Sequence, residues 1–171
     1  MSSPGTGPPL NTDFLNHLDT LLGPLLVLNL GVTAAMTGLI WFVQVVHYPL
    51  MAQIGPQHYS TYQRAHMSRT SWVVGPLMII EVVTALALVF ALRDQNSLAL
   101  AWRALSLLAL IWISTACLQV PAHNRLLEGF DPKAHQRLVV SNWVRTLAWT
   151  GRVLLVGMLN YVYFAHPATG A

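Results

Sequence analysis

The stretch Asn142 to Arg152, N-W-V-R-T-L-A-W-T-G-R, constrains this chain more than any other. Asn142, Arg145, Trp149 and Arg152 are spaced 3, 4 and 3 apart, which puts them on one stripe of a helix of 3.6 residues per turn. The next residues, Val153 to Tyr163, are almost wholly apolar. A helix that carries two arginines and then enters hydrocarbon cannot turn them to lipid, where each charge costs roughly 3 kcal/mol or more. The stripe must face protein, water or a ligand.

The rest of the sequence supplies the inner surface such a stripe needs. Of 171 residues, 54% are hydrophobic and only 9% charged, well below the roughly 25% charged residues of an ordinary soluble domain. Four apolar runs reach the ~20 residues a membrane-crossing helix requires. They are placed at about 25–48, 72–92, 98–120 and 142–164, with Pro49 and Pro121 as ends or kinks. The predicted fold is therefore all-α, a four-helix transmembrane bundle preceded by a short N-terminal interfacial helix. That short helix begins at Thr12 and shows Phe14, Leu15, Leu18, Leu21 and Leu22 at helical spacing, with Gly23-Pro24 behind it. Residues 1–11 read as a disordered tail, 12–166 as one four-span domain and 167–171 as a second tail.

Only Arg93 to Ser97 joins spans two and three, so these must be antiparallel neighbours. The other two links, Met51 to Ser71 and Pro121 to Ser141, read as loops of about twenty residues on one side. Arg64, Arg69, Arg125, Lys133, Arg137 and Arg145 lie in or beside them, against Arg93 and Arg103 opposite. The positive-inside rule places these loops in the cytoplasm and both termini outside. The same asymmetry accounts for the net charge of +3, and nothing points to nucleic acid. One cysteine, Cys117, allows no intrachain disulfide and reads as a small core residue.

The polar residues within the spans fall in two layers. Glu81 and Arg152 each lie nine residues beyond a tryptophan, Trp72 and Trp143, and so reach about 13 Å below the headgroup level at 1.5 Å per residue. Opposite charges at one depth predict an ion pair inside the bundle. Nearer the surface, Thr33, Thr37, Gln44 and His47 share a stripe of span one, and Thr115, Gln119 and His123 one of span three. Asn142 and Arg145 lie at similar height, with His58, His66 and His135 in the links. Gln44-x-x-His47, Pro56-x-His58 and Trp72 are echoed by Gln119-x-x-x-His123, Pro132-x-x-His135 and Trp143, which suggests a parallel internal repeat.

Five histidines at one end invite a metal reading, because imidazole is the commonest metal ligand. His47, His58, His123 and His135 are the candidate ligands, with a non-haem metal favoured over a haem held by His47 and His123. No H-x-x-x-H or E-x-x-H pair is present, so such a site has to be assembled from separate helices. Glu81, Arg152 and Arg145 are the candidate catalytic groups, Glu81 as a proton carrier tuned by Arg152. Gln44, Gln119, Asn142 and Trp149 are candidate cofactor contacts.

In N-W-V-R-T-L-A-W-T-G-R, Gln44-x-x-His47 and the mid-span Glu81, the chain resembles small bacterial four-helix membrane proteins of largely unassigned function. In length and span number it looks like the anthrone-oxygenase-like membrane proteins. That resemblance implies oxidation of a lipophilic, phenolic or quinone-like substrate at the bundle mouth, and it carries no residue roles. The leading expectation is a metal-dependent membrane oxidoreductase acting on a lipid-soluble molecule, with the bilayer as its other partner. The alternatives are a non-enzymatic ligand-binding or assembly subunit, its Arg145/Arg152 stripe holding an anionic headgroup or a partner helix, and an oligomeric conduit for protons or small solutes.

Overall fold

The computed structural model describes the backbone of 12–165 and the side chains of 20–165, and every structural statement refers to those residues. The expected tails at 1–11 and 167–171 lie outside them. All regular structure described is helical. Helix α1, Thr12–Phe42, runs without interruption through a π turn, Val43–His47, into α2, Tyr48–Met51. Helix α3 spans Pro56–Ala91 and α4 spans Gln95–Ser114. A second π turn, Thr115–Gln119, leads into α5, Val120–Arg125, then a 3₁₀ turn, Leu126–Glu128, and α6, Pro132–Ala165.

Local chemistry sets the boundaries. Pro56 follows the extended Gly55 at the start of α3, where a missing N–H costs nothing. Asp94 caps α4 by accepting the backbone N–H of Ser97 at 2.8 Å. Asp131 does the same for α6, accepting from Lys133 at 2.8 Å and Ala134 at 3.2 Å, and those two N–H groups hold its carboxyl below the usual range. Gly129, at φ 142° and ψ 179°, turns the chain between α5 and α6 in a region open to glycine alone.

Four long helices, α1, α3, α4 and α6, pack in a ring in which α1 touches α3 and α6, and α4 touches the same two. Paired cross-helix bonds, Asn29–Thr84 with Thr33–Glu81, Thr37–Trp149 with Leu26–Asn160, and Gln119–Ser141 with Ala104–Arg152, set α1 antiparallel to α3 and α6, and α4 antiparallel to α6. Apolar layers fill the interior at three heights. Leu26, Leu88 and Leu159 lie near the termini, Met36, Met78, Ile111 and Trp149 in the middle, and Tyr48, Met51, Tyr59 and Leu138 at the other end. Trp72, Phe90, Leu154 and Tyr161 point outward, each at least 69% exposed, while Asn29, Thr33, Gln63, Glu81, Asn142 and Arg152 are fully or almost fully buried. The outer face is largely apolar, and the buried polar groups lie between the apolar layers.

Three continuous helical stretches, Thr20–Met51, Pro56–Ala91 and Gln95–Glu128, are long and apolar enough to cross a membrane. At 34 residues α6 has the length, but its buried polar stripe lowers its hydropathy.

Several expectations change. The N-terminal helix is no separate element, because α1 passes straight through Pro24; its side chains up to Asp19 lie outside those described. Pro49 and Pro121 end nothing. Each is preceded by a π turn that closes on the backbone N–H one residue before it, Tyr48 to the Val43 carbonyl and Val120 to the Thr115 carbonyl, so the helix absorbs the lost donor and continues. The long loops contract to 52–55 and 126–131, and most of their polar sequence winds into the first turns of α3 and α6. Cys117 is exposed on the outer surface. Gly151 permits close approach of α4, with Leu107 Cδ1 at 3.3 Å from where a Cβ would sit, whereas Gly157 faces open space.

The two halves also repeat one plan: long helix, π turn, proline, short helix, proline-started long helix. Within that plan Glu81 and Arg152 hold equivalent places, nine residues beyond Trp72 and Trp143.

Replacing Gly129 by Ala forces a β-carbon into a conformation that costs roughly 1–3 kcal/mol. A lowered unfolding midpoint of the detergent-solubilised protein is the expected result, and an unchanged midpoint would show that this turn is not held as described.

Candidate functional site

The central polar layer is the predicted ion pair. Arg152 Nε donates to Glu81 Oε1 at 2.8 Å, and both side chains are wholly buried. Thr33 from α1 donates its hydroxyl to the same oxygen at 3.0 Å, and Trp149 Nε1 donates to Oε2 at 3.1 Å. Arg152 Nη1 donates to the Ala104 carbonyl of α4 at 2.6 Å. The layer therefore ties all four long helices together. Beneath it, Asn29 Nδ2 donates to Thr84 Oγ1 at 2.7 Å. Both charged groups are closed off from the surface in this arrangement, and every bond described for them is to the helical frame.

All four expected cofactor contacts hydrogen-bond within the frame. Gln44 Oε1 accepts from Asn142 Nδ2 at 2.8 Å, and Gln44 Nε2 donates to the Val139 carbonyl. Gln119 accepts from Ser114 and donates to Ser141. Trp149 is spent on Glu81 by its N–H, while its ring face lies 5.2 Å from the guanidinium carbon of Arg145.

At the end carrying the two π turns, the histidines separate into groups. His58 is exposed on α3. His135 Nε2 donates to the Tyr48 carbonyl at 2.8 Å. His47 and His123 converge with a third ring, His66 of α3, which stacks on His47 at 4.4 Å and lies 5.5 Å from His123. Gln63 Nε2 donates to both Nδ1 and the backbone carbonyl of His123, at 2.9 and 3.2 Å. An amide nitrogen facing a carbonyl cannot be exchanged for an amide oxygen, so His123 Nδ1 is an acceptor and its proton sits on Nε2. That Nε2 meets Tyr48 Oη at 3.2 Å.

Both nitrogens of His123 are thus engaged, and His66 lies against both His47 and His123, the two rings expected to flank a haem. The four candidate metal ligands do not come together, and no cluster of three or more His, Cys, Asp or Glu suited to a metal occurs among the described residues.

A different feature occupies this level. A cavity of about 310 Å³ lies between α3 and the α4–α5 segment, backed by α6, and is lined by His66, Thr70, Met78, Gln119, His123 and Arg145 among others. Its rim includes the exposed Ser71, Trp112 and Val120, so it opens sideways onto the apolar outer surface. Arg145 is only 8% exposed and has no hydrogen-bond or carboxylate partner, with its Nε buried and unmatched. A buried guanidinium without an anion is costly, and here the open side of that guanidinium is the cavity.

His66, Gln63 and Tyr48 were not singled out as site residues from the sequence. The signal was present once 56–71 is helical, because Gln63, His66 and Thr70 then fall on one face at spacings of 3 and 4. Thr70 Oγ1 holds His66 Nδ1 at 3.1 Å.

No protein-family model, no curated protein and no solved structure matches the chain, and so no comparison bears on the resemblance to anthrone-oxygenase-like membrane proteins.

Leucine at Glu81 or at Arg152 alone strands one buried charge and should cost about 3–5 kcal/mol, whereas the double replacement should cost clearly less than the sum. Unfolding of all four proteins in one detergent gives the coupling, and additive losses would mean the pair contributes no mutual stabilisation.

Proposed function

We propose that the chain is an integral membrane protein of four spans, and that the side cavity binds a lipid-soluble small molecule with its polar head against Arg145. The spans are α1 with α2, α3, α4 with α5, and α6. Three supports come from hydropathy and length, and the fourth from the inside-out distribution of polarity: α6 is buried on its polar stripe and exposed at Leu147, Leu154, Met158 and Tyr161. With Arg64, Arg69, Arg125, Lys133 and Arg137 at the end of the two π turns, that end is cytoplasmic and both termini are outside.

The observation that carries the ligand reading is the unpaired, buried Arg145 on the wall of a mostly apolar cavity. Small-molecule sites have this composition, a greasy lining with a few placed polar groups, and volumes from about 300 Å³ upward. The binding reading uses residues where they stand. A metal-dependent oxidation would need His47, His58, His123 and His135 to leave their present partners or positions, so ligand binding is the better-supported function.

Gly75 lines the cavity and has no atom within 4 Å of the position a Cβ would take. Gly75→Leu should therefore fill the space without disturbing the helices. In lipid nanodiscs, an environment-sensitive lipophilic fluorophore should bind the wild-type chain and lose affinity at least about tenfold, or ~1.4 kcal/mol, in the Gly75→Leu variant. Equal binding by a well-folded variant would place the ligand elsewhere.

A further inference from the structure

The proposed cavity joins two environments that make opposite demands on a ligand's charge. Its mouth, at Ser71, Trp112 and Val120, runs down the outer face of α3, α4 and α5 from the headgroup level marked by Trp72 and admits a molecule from lipid. An ion crosses hydrocarbon poorly, so the entering molecule is neutral. Its inner wall carries Arg145, a permanent cation without a counter-ion, and the planar fork of a guanidinium matches a carboxylate with two parallel hydrogen bonds. A neutral molecule that becomes an anion inside must leave its proton on a nearby base.

The structure supplies that base. His66 lines the same cavity, its Nδ1 is held by the Thr70 hydroxyl, and its Nε2 makes no hydrogen bond and is not among the sealed, unpartnered atoms. In the tautomer in which Nδ1 donates to Thr70, Nε2 carries the lone pair of a ring that lines the cavity. His123, the other imidazole on the wall, has both nitrogens committed to Gln63 and Tyr48 and is unsuited to the task. The groups facing His66 are His47 from the first π turn, Tyr62 from α3, His123 from α5 and Arg145 across the cavity. None is an acid at neutral pH, so nothing in the wall competes for the guanidinium.

We infer that the ligand is a lipophilic monocarboxylic acid, which enters from the bilayer as the neutral acid and is held by Arg145 as the carboxylate. In this step the acid's O–H bond breaks and an N–H bond forms at His66 Nε2. The carboxylate then lies between a guanidinium and an imidazolium, and no electrons leave or enter. The inference rests on the proposed binding function and adds the ligand's class and charge.

The test uses the full chain in phosphatidylcholine nanodiscs with dodecanoic acid labelled with carbon-13 at its carboxyl, whose resonance reports ionisation, and with dodecanol and methyl dodecanoate as neutral matches. The acid should bind at least about tenfold more tightly than either neutral compound. Its bound resonance should stay at the carboxylate position at a pH where acid in protein-free nanodiscs is mostly protonated. Arg145→Gln should remove the preference for the acid, and His66→Gln should move the ionisation of bound acid to higher pH. Acid, alcohol and ester binding equally to the wild-type chain would overturn the inference and leave the binding function standing. Failure of all three, with Gly75→Leu indistinguishable from wild type, would overturn both. The wild-type comparison decides the matter even where a variant fails to fold.

Discussion

The Glu81–Arg152 pair is the constraint around which the molecule is built. Two charges removed from water repay their desolvation only when geometry and supplementary hydrogen bonds are both good. Here the carboxylate accepts from Arg152, Thr33 and Trp149, and the guanidinium reaches the Ala104 carbonyl, so α1, α3, α4 and α6 all contribute. In hydrocarbon, helices gain little by burying apolar surface against each other, because lipid offers the same surroundings. For a bundle placed in lipid as proposed, polar contacts of this kind then decide which faces turn inward. Once Glu81 and Arg152 meet, the register of α3 against α6 is set, and with it the height of Arg145, two turns toward the histidine end.

The π turns serve the same placement. Each lets a helix accept a proline without ending, and each carries a glutamine that bonds to the third turn of α6, Gln44 to Asn142 and Gln119 to Ser141. A single wider turn also rotates the downstream helix about its axis, so that Tyr48 and His123 point toward one another across the ring. The same local device appears once in each half and carries different chemistry in each. The halves share an architecture, while the acid falls in one and its partner base in the other.

Much of this frame was legible in the sequence. The depth of Glu81 and Arg152 came from counting residues below two tryptophans, and the inward stripe of α6 from the cost of showing arginine to lipid. The helical starts at Pro56 and Pro132 were not legible by that route, because hydropathy reports a solvated helical turn and a loop alike as polar. Reading 51–71 as a loop hid the face on which Gln63, His66 and Thr70 align. The histidines were harder still. Proximity to one end of the chain's helices gave no sign that His58 points to solvent, that His135 serves a backbone carbonyl, or that both nitrogens of His123 are engaged. Those facts depend on side chains from other helices, which spacing within one helix does not reveal.

Arg145 and Arg152 make the comparison that separates frame from site. They lie seven residues apart on one stripe of one helix and are both buried; Arg145 lies over the ring of Trp149, whose N–H goes to the carboxylate that Arg152 binds. Arg152 is matched by an acid in the equivalent position of the other half. At the level of Arg145 the facing positions hold Tyr48, His66 and His123 instead, none of them an anion at neutral pH. Packing can accommodate a long cationic side chain, and Trp149 contributes a cation–π contact of order 1 kcal/mol, yet that is well short of the cost of a buried charge without a counter-ion. A chain that provides an acid for one arginine and a cavity for the other has left room for the missing charge to arrive from outside.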